Sequence, residues 1–372
     1  MNTDYLSIII REFNTLSQQA KSQRLKGWQF KVKNYNRVVS ILNTTDSKLI
    51  NDTNSVLELL KDAGMKFTGD KIRNSTDEKK PWKSKILSKI DDIFTLGYLP
   101  EAKTASNDPK TIAINTLTSI PEIGPSKADQ LYQLGINNIP SLINYLEKDN
   151  TILNRKQIIA LRHYKDLAMR IPRKEMDDWK EFLELITNPI VSGYNIKNYN
   201  TEMVGSYRRE TPDSGDVDFY ISLPDNTTEE TCQCIMEEIR DELINIGSLN
   251  KDECFSCGSH KLMCVAKIGP KNKMRHIDIF IFKNHQTPYA ILHATGCGEF
   301  NIKLRNRALN LGWSLSEKGL TSLNNENENK TIDTLEQVSI KLIKTERQIF
   351  EFLKIKYIQP KYRTPHCKFT LL

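Results

Sequence analysis

The chain has 372 residues and a formal charge of +7 at pH 7, a length that suits two to four compact units. No apolar run approaches the length of a membrane span, and Met1-Asn2-Thr3-Asp4 lacks the basic and apolar segments of a secretory signal. The 7 cysteines are odd in number and have no framework spacing, so the expected setting is intracellular and reducing, without a membrane partner.

Charge is unevenly spread. Residues 1–100 carry 17 Lys+Arg against 11 Asp+Glu, a net of +6, whereas residues 201–250 carry 3 against 12, a net of −9. A basic unit suits phosphate backbones, although a solvated lysine-rich surface has the same composition. An acidic unit suits metal ions. Residues 1–105 read as helical, with apolar patches at 38–42 and 56–60 and with Gly64 and Gly69 bracketing a turn. The run 86–94 places apolar residues at helical spacing with lysines opposite, and Gly97 ends it. A polar connector follows at 102–110.

Residues 117–128 contain Ile123-Gly124-Pro125 and resemble a helix-hairpin-helix, a sequence-independent binder of the DNA backbone. Ile123 and Gly124 turn the chain so that main-chain amides at the next helix start can meet a phosphate or a bridging monovalent cation. Lys127 adds charge. An ordinary turn between two helices is the alternative reading. Residues 177–186 have the pattern of another amphipathic helix, and strands dominate from Met203 to Phe282 with one helix near 227–245. Cys254 and Cys257, with Cys264 downstream, lack a second pair at zinc spacing, and Cys264 reads as a core residue. The polar run 324–330 reads as a mobile loop.

The densest motif is Gly205-Ser206-Tyr207-Arg208-Arg209-Glu210-Thr211-Pro212-Asp213-Ser214-Gly215-Asp216-Val217-Asp218, followed by the strand-like Phe219-Tyr220-Ile221. Alternation along a strand puts Asp216 and Asp218 on one face. Adjacent carboxylates repel unless a proton or a metal is present, and hard divalent cations take one or two carboxylates plus substrate phosphates. The Gly-Ser turns offer N–H and hydroxyl donors to phosphate, and Arg208 or Arg209 can add a guanidinium fork. Asp278, alone in the apolar strand-like run 275–282, is expected to interrupt an otherwise buried strand and to be the third carboxylate. Three carboxylates around two metals allow in-line attack of a 3′-hydroxyl on an α-phosphate. The motif resembles the nucleotidyltransferase signature.

With Arg170-Ile171-Pro172-Arg173, the 346–353 run and the 356–363 ending in the same order, the chain resembles the X family of DNA polymerases, of the polymerase β kind, over roughly residues 25–365. The resemblance implies an α+β fold in four parts. These are a helical, basic lyase-like domain that binds 5′-phosphate (1–105), a helix-hairpin-helix subdomain (106–170), a nucleotidyltransferase palm with a mixed β-sheet (171–285) and a small α/β nucleotide-selection subdomain (286–372). Asp216 and Asp218 would hold two Mg2+ ions, with Mn2+ as a substitute, and Asp278 would join them at one. Ser206, Arg209, Ser214, Gly215 and Arg173 would contact the incoming dNTP, together with Gly296 and Asn301. Asn301 and Arg305 would read the minor-groove edge, although Arg305 also suits an exposed helix. Lys89 matches the amine that forms a Schiff base with an abasic sugar, activated by Lys83 and Lys85. Lys85, Lys31 and Tyr35 would complete a DNA-binding pocket there; a plain basic helix is the alternative.

Two departures bear on function. Two aromatics precede Thr-Gly in the family, whereas here His293-Ala294 precede Thr295-Gly296, which implies lost packing against the sugar. His276 stands where an arginine is common. The expected activity is template-directed filling of short DNA gaps by a monomer that binds gapped or nicked duplex and dNTP. The expected location is the nucleus, or a virion or viral replication site for a viral protein. The alternatives are a template-independent terminal-transferase-like enzyme, disfavoured by the short 257–261 connection, and a non-catalytic DNA-binding scaffold, disfavoured by the three intact carboxylates.

Overall fold

The computed structural model describes residues 4–43, 45, 50–67, 72–73, 82–323, 343–365 and 367–372. Gly69 and the 324–330 run lie outside them. The chain divides into two compact units, Met1–Gln157 and Ile158–Leu372.

The first unit is helical. Helix α1 (Tyr5–Gln23) is capped by Asp4, which accepts from the Ser7 amide at 3.2 Å, and it buries Ile9, Phe13 and Leu16 on one stripe. It packs with α2 (Trp28–Leu42), α3 (Thr53–Asp62), α4 (Lys85–Leu96) and α5 (Pro100–Ser106) around a core that includes Val38, Leu60, Leu87, Ile90 and Ile93. The reciprocal cap of Asp52 and Ser55 starts α3. Gly97, at φ 79°, ends α4 in the left-handed conformation that glycine adopts most cheaply, and the chain turns directly into α5. Helices α6 (Pro109–Thr118), α7 (Pro125–Gln133) and α8 (Ile139–Leu146) follow. The division between units falls within α9 (Arg155–Arg162).

In the second unit, α10 (Tyr164–Leu167) and β1 (Ile171–Pro172) lead into α11 (Arg173–Gly193). The amphipathic helix expected at 177–186 is therefore twice as long, because Met176, Trp179, Leu183, Ile186 and Val191 carry the apolar stripe through its full length. The sheet is built from β2 (Asn200–Met203), β4 (Val217–Leu223), β5 (Cys254–Cys257), β6 (Lys261–Ala266) and β7 (Arg275–Lys283), in the order β2-β4-β7-β6-β5. Between β2 and β4 lie the single-turn helix α12 (Gly205–Arg208) and β3 (Asp213–Ser214), which pairs with β1. Helix α13 (Glu229–Asn245) is in the crossover from β4, and β4 pairs with β7 in parallel while the other neighbours are antiparallel. Helices α11 and α13 cover one face of the sheet, where Phe219, Ile221, Ile277, Ile279 and Ile281 are fully buried.

Burial alternates strictly along β7. Asp278 lies on its half-exposed face with His276 and Phe280, and the apolar set belongs to the other face, so the carboxylate interrupts no buried packing. The remaining elements are α14 (Thr287–Thr295), α15 (Gly298–Asn310), the hairpin β8 (Trp313–Ser316) with β9 (Gly319–Ser322), and α16 (Glu346–Phe352). They share a core of Phe300, Leu304, Trp313, Ile349 and Phe350.

Candidate active site

Parallel pairing sets Asp218 of β4 directly beside Asp278 of β7, and exposed Asp216 stands just before β4. Burial, and then the negative charges of Asp216 and Asp278, push the Asp218 carboxyl well above its usual range. Burial also raises Asp278, but His276 and Lys261 outweigh it and leave this carboxyl below its usual value. Lys261 Nζ lies 3.0 Å from Asp278 Oδ2 and 4.6 Å from the centre of the Phe280 ring. His276 Nε2 is 3.1 Å from Asp278 Oδ1, within ion-pair reach.

This donor set fits a hard divalent cation. Negative oxygens are concentrated in one place, Asp278 Oδ1 is buried without accepting a hydrogen bond, and Asp218 carries an electrostatic penalty that a cation would relieve. Among the described residues no group of three or more His, Cys, Asp or Glu side chains forms a ready-made metal cage, so the set is an open one to be completed by substrate oxygens.

Gly205 makes the close packing possible. Its φ is +62°, and a Cβ there would lie 2.3 Å from Asp218 Oδ2. The following turn is helical, a conformation not expected from the Gly-Ser pattern, and it brings Ser206 Oγ within 2.8 Å of Ser214 Oγ. Gly215 lies next to Asp216, facing the Arg170 guanidinium, which pairs with Asp213 at 2.7 Å. Arg173 donates Nη1 to the carbonyls of Tyr207 (3.0 Å) and Thr211 (3.4 Å) and lies over the Tyr207 ring. Arg209 donates to the Thr295 carbonyl at 2.8 Å. Arg208 is committed to structure: it bonds Glu202 and Glu346 at 2.7 Å and Thr295 Oγ1 at 2.9 Å. No local pattern distinguishes Arg208 from Arg209, and none announces Lys261.

The Thr295-Gly296 segment is held from its other side by Asn301, whose amide donates to the His293 carbonyl at 2.6 Å. A Cβ on Gly296 would lie 2.7 Å from both Asn301 Oδ1 and Phe300 Cδ1. Arg305 Nη2 donates to His293 Nδ1 at 3.0 Å, which makes that nitrogen the acceptor. Burial and the Arg305 charge lower the His293 pKa. Asn301 and Arg305 are thus both folded onto His293. Ala294 does not leave the packing void that its small side chain implies: it packs in a cluster with Val204, Tyr220, Phe280 and Phe282, so strand aromatics occupy that space.

Sites proposed for the first unit lie within that unit. Lys89 is buried, and its ammonium pairs with Glu101. The expected cationic neighbours Lys83 and Lys85 are exposed; the group in contact with the amine is a carboxylate, brought there by the turn at Gly97. Lys31, Tyr35 and Glu101 line one cleft. Burial and the Glu101 charge push the Tyr35 phenol up. At the hairpin, Gly124 is the N-cap of α7, with no side-chain cap and nothing within 4 Å of an added Cβ. Ile123 is buried and its amide donates to the Ile120 carbonyl at 3.2 Å, and Lys127 is half-buried beyond it.

Comparison with known proteins matches residues 170–284 to a DNA polymerase beta palm, residues 290–364 to a DNA polymerase beta thumb and residues 115–168 to the fingers domain of DNA polymerase lambda. DNA polymerase lambda of Arabidopsis thaliana is 26% identical over 286 residues, covering 74% of this chain and 50% of the relative. The Rattus norvegicus DNA polymerase lambda is 25% identical over 283 residues, covering 75% and 46%. The type-X family protein pol4 of Schizosaccharomyces pombe is 24% identical over 283 residues, covering 75% and 53%. The chain therefore spans about half the length of these relatives.

Two outcomes follow from the local packing. Gly205→Ala should displace Asp218 and reduce nucleotidyl transfer by about 100-fold, the scale of a misplacement near 1 Å, while the unit stays folded; single-turnover transfer and circular dichroism check this. Ala294→Phe should overpack the Tyr220 cluster and destabilise the protein by about 1–3 kcal/mol, measured by urea unfolding, whereas half-buried His293→Tyr should be tolerated and, if the chain transfers nucleotides, should raise selection of dNTP over rNTP.

Proposed function

Because the chain belongs to the X family of DNA polymerases, we propose that it adds nucleotides from dNTPs to a primer 3′-hydroxyl and fills short gaps in duplex DNA as a template-directed repair enzyme. The observation that carries this reading is the register that pairs Asp218 with Asp278 beneath the Ser206–Ser214 loop. Divalent metal use goes with the family; Asp216, Asp218 and Asp278 would hold the ions, Mg2+ by preference and Mn2+ as a substitute. When bound, such ions supply Lewis acidity to the attacking and leaving oxygens.

The protein's own groups divide the remaining work. Asp278, beside the Lys261 and His276 charges, would accept the 3′-hydroxyl proton on this reading. The Ser206 and Ser214 hydroxyls, the Gly215 main chain and the Arg173 and Arg209 guanidiniums orient the triphosphate. Arg173 and Arg209 each spend N–H groups on main-chain carbonyls, which fixes the plane of each guanidinium in advance. Gly296 and Asn301 form the sugar side, and Arg305 faces the template once released from His293.

DNA is gripped by the main chain of the Ile123-Gly124 turn, with Lys127 and a monovalent cation there, and by Lys31, Tyr35 and Lys85 at a 5′-phosphate. This assigns four parts to the chain, at 1–105, 106–170, 171–285 and 286–372, acting as a monomer in the nucleus. Lys89 supports a second, lyase activity on abasic sugar. Among the described residues no helix is long and apolar enough to cross a membrane. A terminal-transferase-like reading is disfavoured because only Gly258, Ser259 and His260 join β5 to β6, with the Gly258 amide closing the turn on the Lys261 carbonyl at 3.0 Å.

Asp278→Ala should reduce extension on a one-nucleotide gap by about a thousandfold, roughly 4 kcal/mol of barrier, while binding of the same gapped duplex is retained. Parent-like extension by the variant would remove Asp278 from the mechanism. Retained binding should fall steeply as salt rises, because phosphate contacts release counterions.

A further inference from the structure

The Lys89 side chain is 10% exposed and its ammonium is paired with Glu101, whose own side chain is 63% exposed. The buried amine therefore meets the outside through this carboxylate. Glu101 also lines the cleft that holds Lys31 and Tyr35 at its wall, and it is the only carboxylate among the described lining residues. Burial, and then the Glu101 charge, hold the Tyr35 phenol above its usual range. The carboxylate, the phenol and the Lys31 cation therefore line one cleft within a single unit, and the Lys89 amine is joined to it through Glu101.

We propose that Glu101 is the acid–base residue of a centre that cleaves deoxyribose phosphate from DNA ends through Lys89. The proposal rests on the reading of Lys89 as an imine-forming amine and deepens it. Before it can attack, the Lys89 ammonium must lose a proton, and the group in contact with it is the Glu101 carboxylate. The freed amine bonds to C1′ of the open-chain sugar, and the carbonyl oxygen takes a proton from the amine as the carbinolamine forms. That hydroxyl leaves as water with the proton held by Glu101, which gives the iminium and restores the carboxylate.

Glu101 then removes a proton from C2′. The C–H electrons form the enamine, and their return expels the 3′-phosphate oxygen with the C3′–O electron pair. The Glu101 proton passes to solvent, and water hydrolyses the remaining imine to return Lys89. The sequence is redox-neutral and uses only water. Lys31 supplies positive charge for the sugar's 5′-phosphate, and Tyr35 donates to the sugar oxygens.

The test uses the full chain with gapped DNA that carries a 5′-deoxyribose phosphate, comparing parent, Glu101→Gln and Lys89→Ala. Borohydride trapping reads the imine, and release of the sugar fragment reads elimination. Glu101→Gln keeps the shape of the side chain and removes the base. Elimination should fall by about 10²–10⁴-fold, the usual contribution of a positioned base, and added formate should partly restore it in Glu101→Ala, which leaves room for a carboxylate. The acid limb of the parent pH–rate profile should also disappear. Circular dichroism of the same samples should show the parent helical content in every variant, so that lost elimination is not lost fold.

If parent protein traps and Glu101→Gln eliminates at the parent rate, the role of Glu101 is overturned while the Lys89 reading stands. A slow variant that formate does not rescue, with its acid limb unchanged, makes Glu101 merely structural and equally overturns the proposal. If parent protein neither traps nor eliminates, or if Lys89→Ala traps as well as parent, the Lys89 reading itself falls and takes the proposal with it.

Discussion

The parallel pairing of β4 with β7 is the constraint on which the catalytic unit depends. It sets Asp218 beside Asp278 with Asp216 close by, an arrangement that carboxylates left to themselves would avoid. The opposite face of the same two strands carries the fully buried Phe219, Ile221, Ile277, Ile279 and Ile281, packed under α11 and α13. A one-residue slip in either strand would turn these side chains toward solvent and the carboxylates into the core. Hydrophobic burial on one face therefore holds an electrostatically unfavourable cluster on the other. Lys261 and His276 relieve part of the repulsion, and a divalent cation can relieve the rest.

A chain of charge pairs extends this rigidity to the nucleotide side. Arg208, in the loop that follows β2, bonds Glu202, Thr295 and Glu346, and Glu346 bonds Arg363 at 2.6 Å. Arg363 is fully buried, with its guanidinium near the rings of Phe300, Phe350 and Tyr357. Ion pairs buried in this way add specificity of arrangement more than net stability. Here they tie the phosphate loop to the Thr295-Gly296 turn and to α16. Asn301 and Arg305 are folded onto His293 in this state, so a bound nucleotide would have to compete for their hydrogen bonds.

The elements that were readable in the sequence are those governed by local rules. Runs of apolar β-formers announce β4 and β7, and glycine at 97 ends α4 where expected. Partnerships between distant segments were not readable. Nothing in the 275–282 run says that β6 will lie alongside it and deliver Lys261 to Asp278. The Lys89–Glu101 pair depends on a left-handed glycine turn between two helices, which reverses the chain; sequence proximity to Lys83 and Lys85 pointed to the wrong neighbours. Likewise, Ala294 looks deficient in isolation because the aromatics that pack beside it come from β4 and β7. The length of α11 was underestimated because its polar first turn, ahead of Trp179, hides the continuing stripe.

Substrate choice by the whole protein is tested most directly on DNA with a single-nucleotide gap, with each of the four dNTPs offered separately, alongside the same primer single-stranded. The fold described above should add one nucleotide, the complement of the template base, and stop at the downstream strand, with the single-stranded primer left almost unextended. Addition of any nucleotide irrespective of the template, or equal extension of the single-stranded primer, would contradict template-directed gap filling.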